Sequence, residues 1–147
     1  MNTYNLSIIQ EEVLNMLSNK FDHLTFEAKI SEDEKTLTIS TPNVVTLKGH
    51  DDEIFVELRI FAGGIYDFRL VFDEIEKTEE NLSLVNDLNN ETIYFKAFIN
   101  KKDFLTLENC GPYYDADGIR KMVFEFLQRF EDLSDSEALK ELTRRTN

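Results

Sequence analysis

The residues able to do chemistry in this sequence fall into a few small groups. His50, Asp51, Asp52 and Glu53 stand together in KGHDDE, a set of imidazole and carboxylate donors suited to a divalent cation. Ligands so close along one loop rarely complete a coordination shell, and no second cluster supplies the rest. The segment therefore reads as a solvated turn, and no metal is expected. Cys110 is the only cysteine. A nucleophilic thiol needs a base or a cationic neighbourhood, and no histidine stands near it in the sequence, so a structural, buried or half-buried thiol is expected. Tyr113 and Tyr114 lie beside Asp115 and Asp117 in GPYYDADG. Exposed tyrosines there suit a partner surface; rings packed against a neighbouring helix are the alternative. The sequence contains no nucleophile elbow, Walker loop, dinucleotide fingerprint or Cys-x-x-Cys pair. Ala62-Gly63-Gly64 has strands on both sides and no following helix, which makes it a hairpin and not a phosphate loop. No catalytic, cofactor-binding or metal-binding residue is predicted. Were the chain an enzyme, Asp51, Asp52, Cys110 and Asp115 would be its candidates.

The acids carry the second signal. Aspartate and glutamate number 29 against 16 lysines and arginines, a net charge of −13. Such a surface repels nucleic acid and anionic membranes and attracts a basic protein. Between Asp73 and Glu91 the chain carries Asp73, Glu74, Glu76, Glu79, Glu80, Asp87 and Glu91 against Lys77 alone. This segment is either an electronegative face, with Glu79, Glu80 and Asp87 as candidate partner-binding residues, or the solvated side of a connector and helix. One cysteine allows no internal disulfide, the start MNTYNLSIIQEEVL lacks the pattern of a secretory signal, and no apolar run is long enough to span a bilayer. A cytoplasmic protein is expected. A chain of 147 residues fits one domain, residues 1–147, and twelve phenylalanines supply ample core volume.

These residues must be positioned by elements. Leu6, Ile9, Val13, Met16, Leu17 and Phe21 recur at helical spacing and predict a helix over about residues 5–20, capped by Asn5 or Asn2. LTFEAKI alternates Leu24, Phe26, Ala28 and Ile30 inward and predicts a strand. EDEK makes a turn, TLTIST a second strand with Leu37 and Ile39 inward, and Pro42 its end. Val44 to Leu47 is a further short strand or a loop. EIFVELRIFAGGIYDFRLVF reads as a tight hairpin about a two-residue Gly63-Gly64 loop, both glycines able to take positive φ. The Tyr66, Phe68, Leu70, Phe72 face of its second strand is apolar, which places that strand centrally under helices. A helix follows, capped by Thr78, with Glu79 and Glu80 in its first turn, a Leu82, Val85, Leu88 stripe, and an end near Asn89. TIYFKAFIN and DFLTLEN predict two strands joined by NKKD, the second broken by Cys110-Gly111-Pro112. Ile119, Met122, Val123, Phe126, Phe130 and Leu133 predict a helix capped by Asp115 or Asp117. SDSE at Ser134–Glu137 matches a capping box that starts a last helix containing Leu139 and Leu142, with Arg144 and Arg145 at its cation-favouring end. The order predicts an α+β fold: a helix, an antiparallel sheet of five to six strands, a helix, a hairpin, and C-terminal helices packed on one sheet face.

LVNDLNNETIYFKAFINKKDFLTLEN, Leu84 to Asn109, resembles the corresponding part of the YbjN family of bacterial sensory-transduction regulators, which share the fold of type III secretion chaperones. The resemblance extends over roughly Leu6 to Leu133. The sequence departs from some members in having no tryptophan near Asn86 and in its short post-hairpin stretch CGPYYDADG. The resemblance implies a regulator or chaperone-like module that binds a polypeptide partner, often as a homodimer, and implies no catalytic residue. The alternative function is an acidic inhibitor or immunity-type protein that neutralises a basic enzyme or mimics nucleic-acid charge.

Overall fold

The computed structural model describes residues 4–144, so Asn2 and Arg145 lie outside the described residues. Its elements, in chain order, are helix α1 (Leu6–Lys20), strands β1 (Glu27–Ile30), β2 (Thr36–Ser40), β3 (Phe55–Phe61) and β4 (Ile65–Glu74), helix α2 (Glu79–Glu91), strands β5 (Lys96–Ile99) and β6 (Phe104–Pro112), and helices α3 (Ala116–Glu131) and α4 (Glu137–Arg144). The strands form one antiparallel sheet in the order β1-β2-β3-β4-β6-β5. The fold is α+β, with the helices on one face of the sheet.

Strand β4 is central, between β3 and β6. Its Tyr66, Phe68, Leu70 and Phe72 are buried beneath the helices, where Phe68 meets Phe126 edge-on and Phe72 meets Phe130. Ile54, Val56, Leu58 and Ile60 before and within β3, and Leu37 and Ile39 of β2, complete the inner face with essentially no exposure. Helix α1 buries Leu6, Ile9, Val13 and Leu17, as their spacing requires, and Asn5 caps it by accepting from the amides of Ser7 and Ile8. Asp115 caps α3 through the amide of Gly118, and Asp117 instead pairs with Arg120 and Lys121 within the first turn.

Several boundaries differ from expectation, each for a local reason. β1 begins at Glu27 and not at Leu24, because its partner β2 ends opposite it at Ser40, just before Pro42. Val44 to Leu47 contributes only a single bridge, Val45 to Ile54. The β3–β4 loop holds three residues: Phe61 pairs with Ile65, and the Gly64 amide donates to the Phe61 carbonyl. Only Gly64, at φ 97°, needs the left-handed region. In α2, Leu82 points outward and is 48% exposed, while Asn81 takes the buried position with Val85 and Leu88. Positions 81, 85 and 88 follow the helical period more closely than 82, 85 and 88. The helix also runs two residues past Asn89.

Asn89 has a specific task. Its side-chain amide donates to the Ala97 carbonyl (3.0 Å), and its Oδ1 accepts from the Ala97 amide (2.7 Å). An asparagine on a helix thus takes the place of a neighbouring strand and closes the β5 edge. β5 itself starts only at Lys96, after a bend at Ile93 and Tyr94, and Phe95 continues its inward side to meet Phe126 and Phe130.

Cys110-Gly111-Pro112 continues β6 instead of breaking it, pairing with Asp67, Tyr66 and Ile65. A Cβ on Gly111 would lie 3.2 Å from the Tyr66 hydroxyl, so glycine makes room for that ring. Because the Tyr113 amide donates to Gly64, the alternation of the ladder turns the Pro112 nitrogen away from β4, beyond the end of β5. The missing N–H therefore removes no ladder bond. Ser136, not Ser134, caps α4: the Leu139 amide donates to its hydroxyl oxygen. Ser134 lies in the preceding 3-10 turn, Asp132–Asp135, against Gly49.

Asn89→Ala removes both bonds at the β5 edge. It is expected to lower stability by about 1–2 kcal/mol, seen as a fall in the urea midpoint with an unchanged slope. Burial beside Tyr4 holds the Tyr113 phenol at about 12. The unfolded phenol ionises near the ordinary 10.0, so stability at Tyr113 is complete below that pH and falls as pH rises from there toward the folded value. Tyr113→Phe removes this contribution to the alkaline decline, read by denaturation across alkaline pH.

Candidate binding face

The sequence-predicted site residues do not converge. Tyr113 is buried: its hydroxyl donates to the Phe61 carbonyl at 2.5 Å, its ring lies 4.9 Å from Tyr4, and it ties the β3–β4 loop to β6. It is a packing residue, and its place as a candidate partner contact is corrected. Tyr114 is 78% exposed. Glu79, Glu80 and Asp87 are exposed on α2, and Glu80 and Asp87, seven residues apart, share a helix face. His50 is half-buried. Its ring stacks on Phe130 at 3.9 Å and its Nε2 lies 2.8 Å from the Phe130 carbonyl, which holds the 41–54 loop over α3. Asp51, Asp52 and Glu53 meet Asp73 around a cavity of about 370 Å³. Burial pushes the Asp52 carboxyl upward, against a hydrogen bond with Thr143. Among the described residues, no group of three histidine, cysteine, aspartate or glutamate side chains is arranged to hold a metal ion. Cys110 is exposed, which corrects the expected buried or half-buried thiol; it lies opposite Asp67 on the sheet surface.

That sheet surface is the most distinctive feature the fold creates. Alternation along each strand sends half the side chains away from the helices. The register then lines them up in rows across the sheet. One row runs Glu27, Ser40, Glu57, Arg69, Glu108, Lys96 across all six strands. The next runs Lys29, Thr38, Arg59, Asp67, Cys110. Their charges interlock. Asp67 accepts from Arg59 at 2.5 Å and from Arg69 at 3.1 Å, Arg69 Nε reaches Glu108 at 3.1 Å, and Arg59 Nε lies 3.4 Å from Glu57. The guanidinium of Arg69 is held charged by Asp67, then by Glu108 and Glu57, against the effect of its own burial.

The two rows hold the cations Lys29, Arg59, Arg69 and Lys96 and the anions Glu27, Glu57, Asp67 and Glu108. Their formal charges cancel, on a chain whose net charge is −13. Beyond these rows most outward positions are apolar, although Thr36, Thr106 and Asp73 also stand there. At one end Phe98, Thr106, Val71 and Phe55 form a row, beside a groove that also takes in Val44 and Phe104 and carries the carboxylates of Glu53 and Asp73 in its lining. At the other end stand Pro112, Ile65 and Phe61, with Ile65 56% exposed. An antiparallel sheet with one face in water usually presents polar side chains there.

The two sheet edges are unequal. Asn89 closes β5 at Ala97. β1 pairs only with β2. The Ser31 amide donates to Thr36, and ladder alternation then turns the amides and carbonyls of Ala28 and Ile30 outward, free of β2. These rows could not be found in the sequence, because register decides which outward residues are neighbours. The signal available was an apolar residue at outward positions: Phe55, Phe61, Ile65 and Val71 break the alternation.

No protein-family model matches the chain, and neither a curated protein nor a solved structure gives a match.

Asp67→Asn leaves Arg59 and Arg69 without their shared carboxylate. A loss of about 1–3 kcal/mol in urea unfolding is expected, shrinking as ionic strength rises.

Proposed function

We propose that the chain is a non-enzymatic polypeptide-binding module, regulator or chaperone-like, whose partner lies across the uncovered sheet face and adds to the β1 edge. The observation that carries this reading is the charge-balanced face with apolar rows at both ends, on a protein otherwise strongly acidic. Two central rows of zero formal charge, flanked by apolar side chains, accept a polypeptide with less of the repulsion the rest of the molecule exerts on acidic partners. The free amides and carbonyls of Ala28 and Ile30 offer main-chain pairing, and the rows offer seats for alternate side chains. The matching partner is an extended segment with apolar residues at every second position and both signs of charge between them. The YbjN-like character of Leu84–Asn109 agrees with this reading. Two polar side chains of the loops are taken up in packing: His50 is held by Phe130 and Tyr113 by Phe61.

A second reading, an acidic inhibitor of a basic enzyme, is favoured by the convergence of Asp51, Asp52, Glu53 and Asp73 on one cavity. The two predict different behaviour. Cys110, exposed on the sheet face beside Asp67 at the β6 end of its row, can carry a photoactivatable cross-linker on the native protein. Exposed to native lysate, it is expected to capture a polypeptide at low and high salt alike. Ile65→Glu and Val71→Glu should abolish the capture, and Leu82→Glu should leave it intact, with near-UV circular dichroism confirming that each variant folds. Capture insensitive to Ile65 and Val71 overturns the sheet-face reading. A partner lost at high salt and on Asp73→Lys supports the inhibitor instead.

A further inference from the structure

Helices α1 and α3 pack side by side over the sheet, and their outer surfaces enclose a groove of about 540 Å³ on the side of the molecule opposite the open sheet face. Its floor is Met16 and Phe124, the latter 37% exposed. Its rim carries Lys20 from α1 and Arg120 and Lys121 from α3, with Glu12 the only carboxylate in the lining. Arg120 and Lys121 both reach Asp117, which offsets part of their charge and fixes where they stand. The groove still carries more cations than anions, on a chain of net charge −13. Ile8 lies one turn before Glu12 on the same stripe of α1 and is 52% exposed. Apolar side chains therefore stand at Ile8 and Met16 with Glu12 between them on α1, and Phe124 faces them from α3. From Ile8 to Lys20 the helix rises roughly 18 Å, about three turns.

We propose that this groove seats an amphipathic helical segment of a second polypeptide, acidic on the flanks of its apolar stripe, lying along α1 and α3. The spread of the apolar contacts matches a helix better than a small molecule, because anchors spread over about three turns correspond to the i, i+4, i+7, i+11 repeat of a helix laid into a groove. The cationic rim selects the acidic flanks and rejects basic ones. The site is independent of the sheet face: it lies across the molecule from it, and its chemistry is a helix seat and not strand pairing. The chain would then hold two segments at once, one on each side.

The test uses the full chain, isotope-labelled, and two synthetic helical peptides of about 14 residues, just under four turns. One has leucine at i, i+4, i+7 and i+11 with glutamate on the flanks; the other has lysine in place of glutamate. The acidic peptide is expected to shift the signals of Ile8, Met16 and Phe124, and the basic peptide is not. Lys20→Glu combined with Lys121→Glu should weaken binding at least tenfold, and both sites are exposed, so the fold survives. Phe124→Ala should weaken it similarly, while Leu82→Ala, an exposed apolar residue on α2, should change nothing. Equal binding of the two peptides, shifts confined to other surfaces, or no binding of the acidic peptide overturns the proposal.

Discussion

Strand β4 carries the constraint on which the rest of the molecule depends. Tyr66, Phe68, Leu70 and Phe72 must leave water together, and the same strand presents Asp67 and Arg69 on its other side. Alternation makes the two faces inseparable. Helices that cover the aromatic side leave the charged side open, and a buried Asp67 would need its two arginines with it. The sheet is consequently one-sided. The phenylalanines of α3 are placed to meet β4, the 41–54 loop is pinned through His50 to Phe130, and α2 and α4 close the core at the β5 end.

The open face is held in shape by its own electrostatics. Asp67 bridges Arg59 and Arg69, and Glu108 and Glu57 complete the set, so no charge stands alone in the middle of the sheet. Half-buried pairs of this kind contribute modestly to stability, but they fix long side chains in one arrangement. The result is a level surface whose apolar ends remain free. The two edges are treated differently by the same chain: the helix asparagine Asn89 satisfies β5, and nothing among the described residues pairs with the outer side of β1.

Much of this was readable beforehand. The helical stripe of α1, the cap Thr78, the caps narrowed to Asn5 or Asn2 and to Asp115 or Asp117, the central position of β4 and a sheet of five to six strands follow from short-range rules, because capping and amphipathic spacing act within a few residues. The readings that failed involve partners distant in the chain. Tyr113 looked like a loop residue until β6 was seen to continue through Gly111 and Pro112, which a long β4 makes possible. Ser136 displaced Ser134 as the cap because the 3-10 turn consumes Ser134. Leu82 lost its inward place to Asn81, whose side-chain amide donates to the Glu76 carbonyl.

The candidate sites divide along the same line. The sequence by itself determined an acidic α+β chain, the strands, the helices and their apolar faces, since these depend on residue type and on spacing of two or four. Only the tertiary structure decided that eight charges spread from Glu27 to Glu108 cancel on one face, that Asp73 joins Asp51, Asp52 and Glu53, and that Lys20 faces Arg120 and Lys121 across a groove. Such groupings depend on strand register and helix docking. A shift of one residue would turn every outward side chain inward, and no local property of the chain records which register wins.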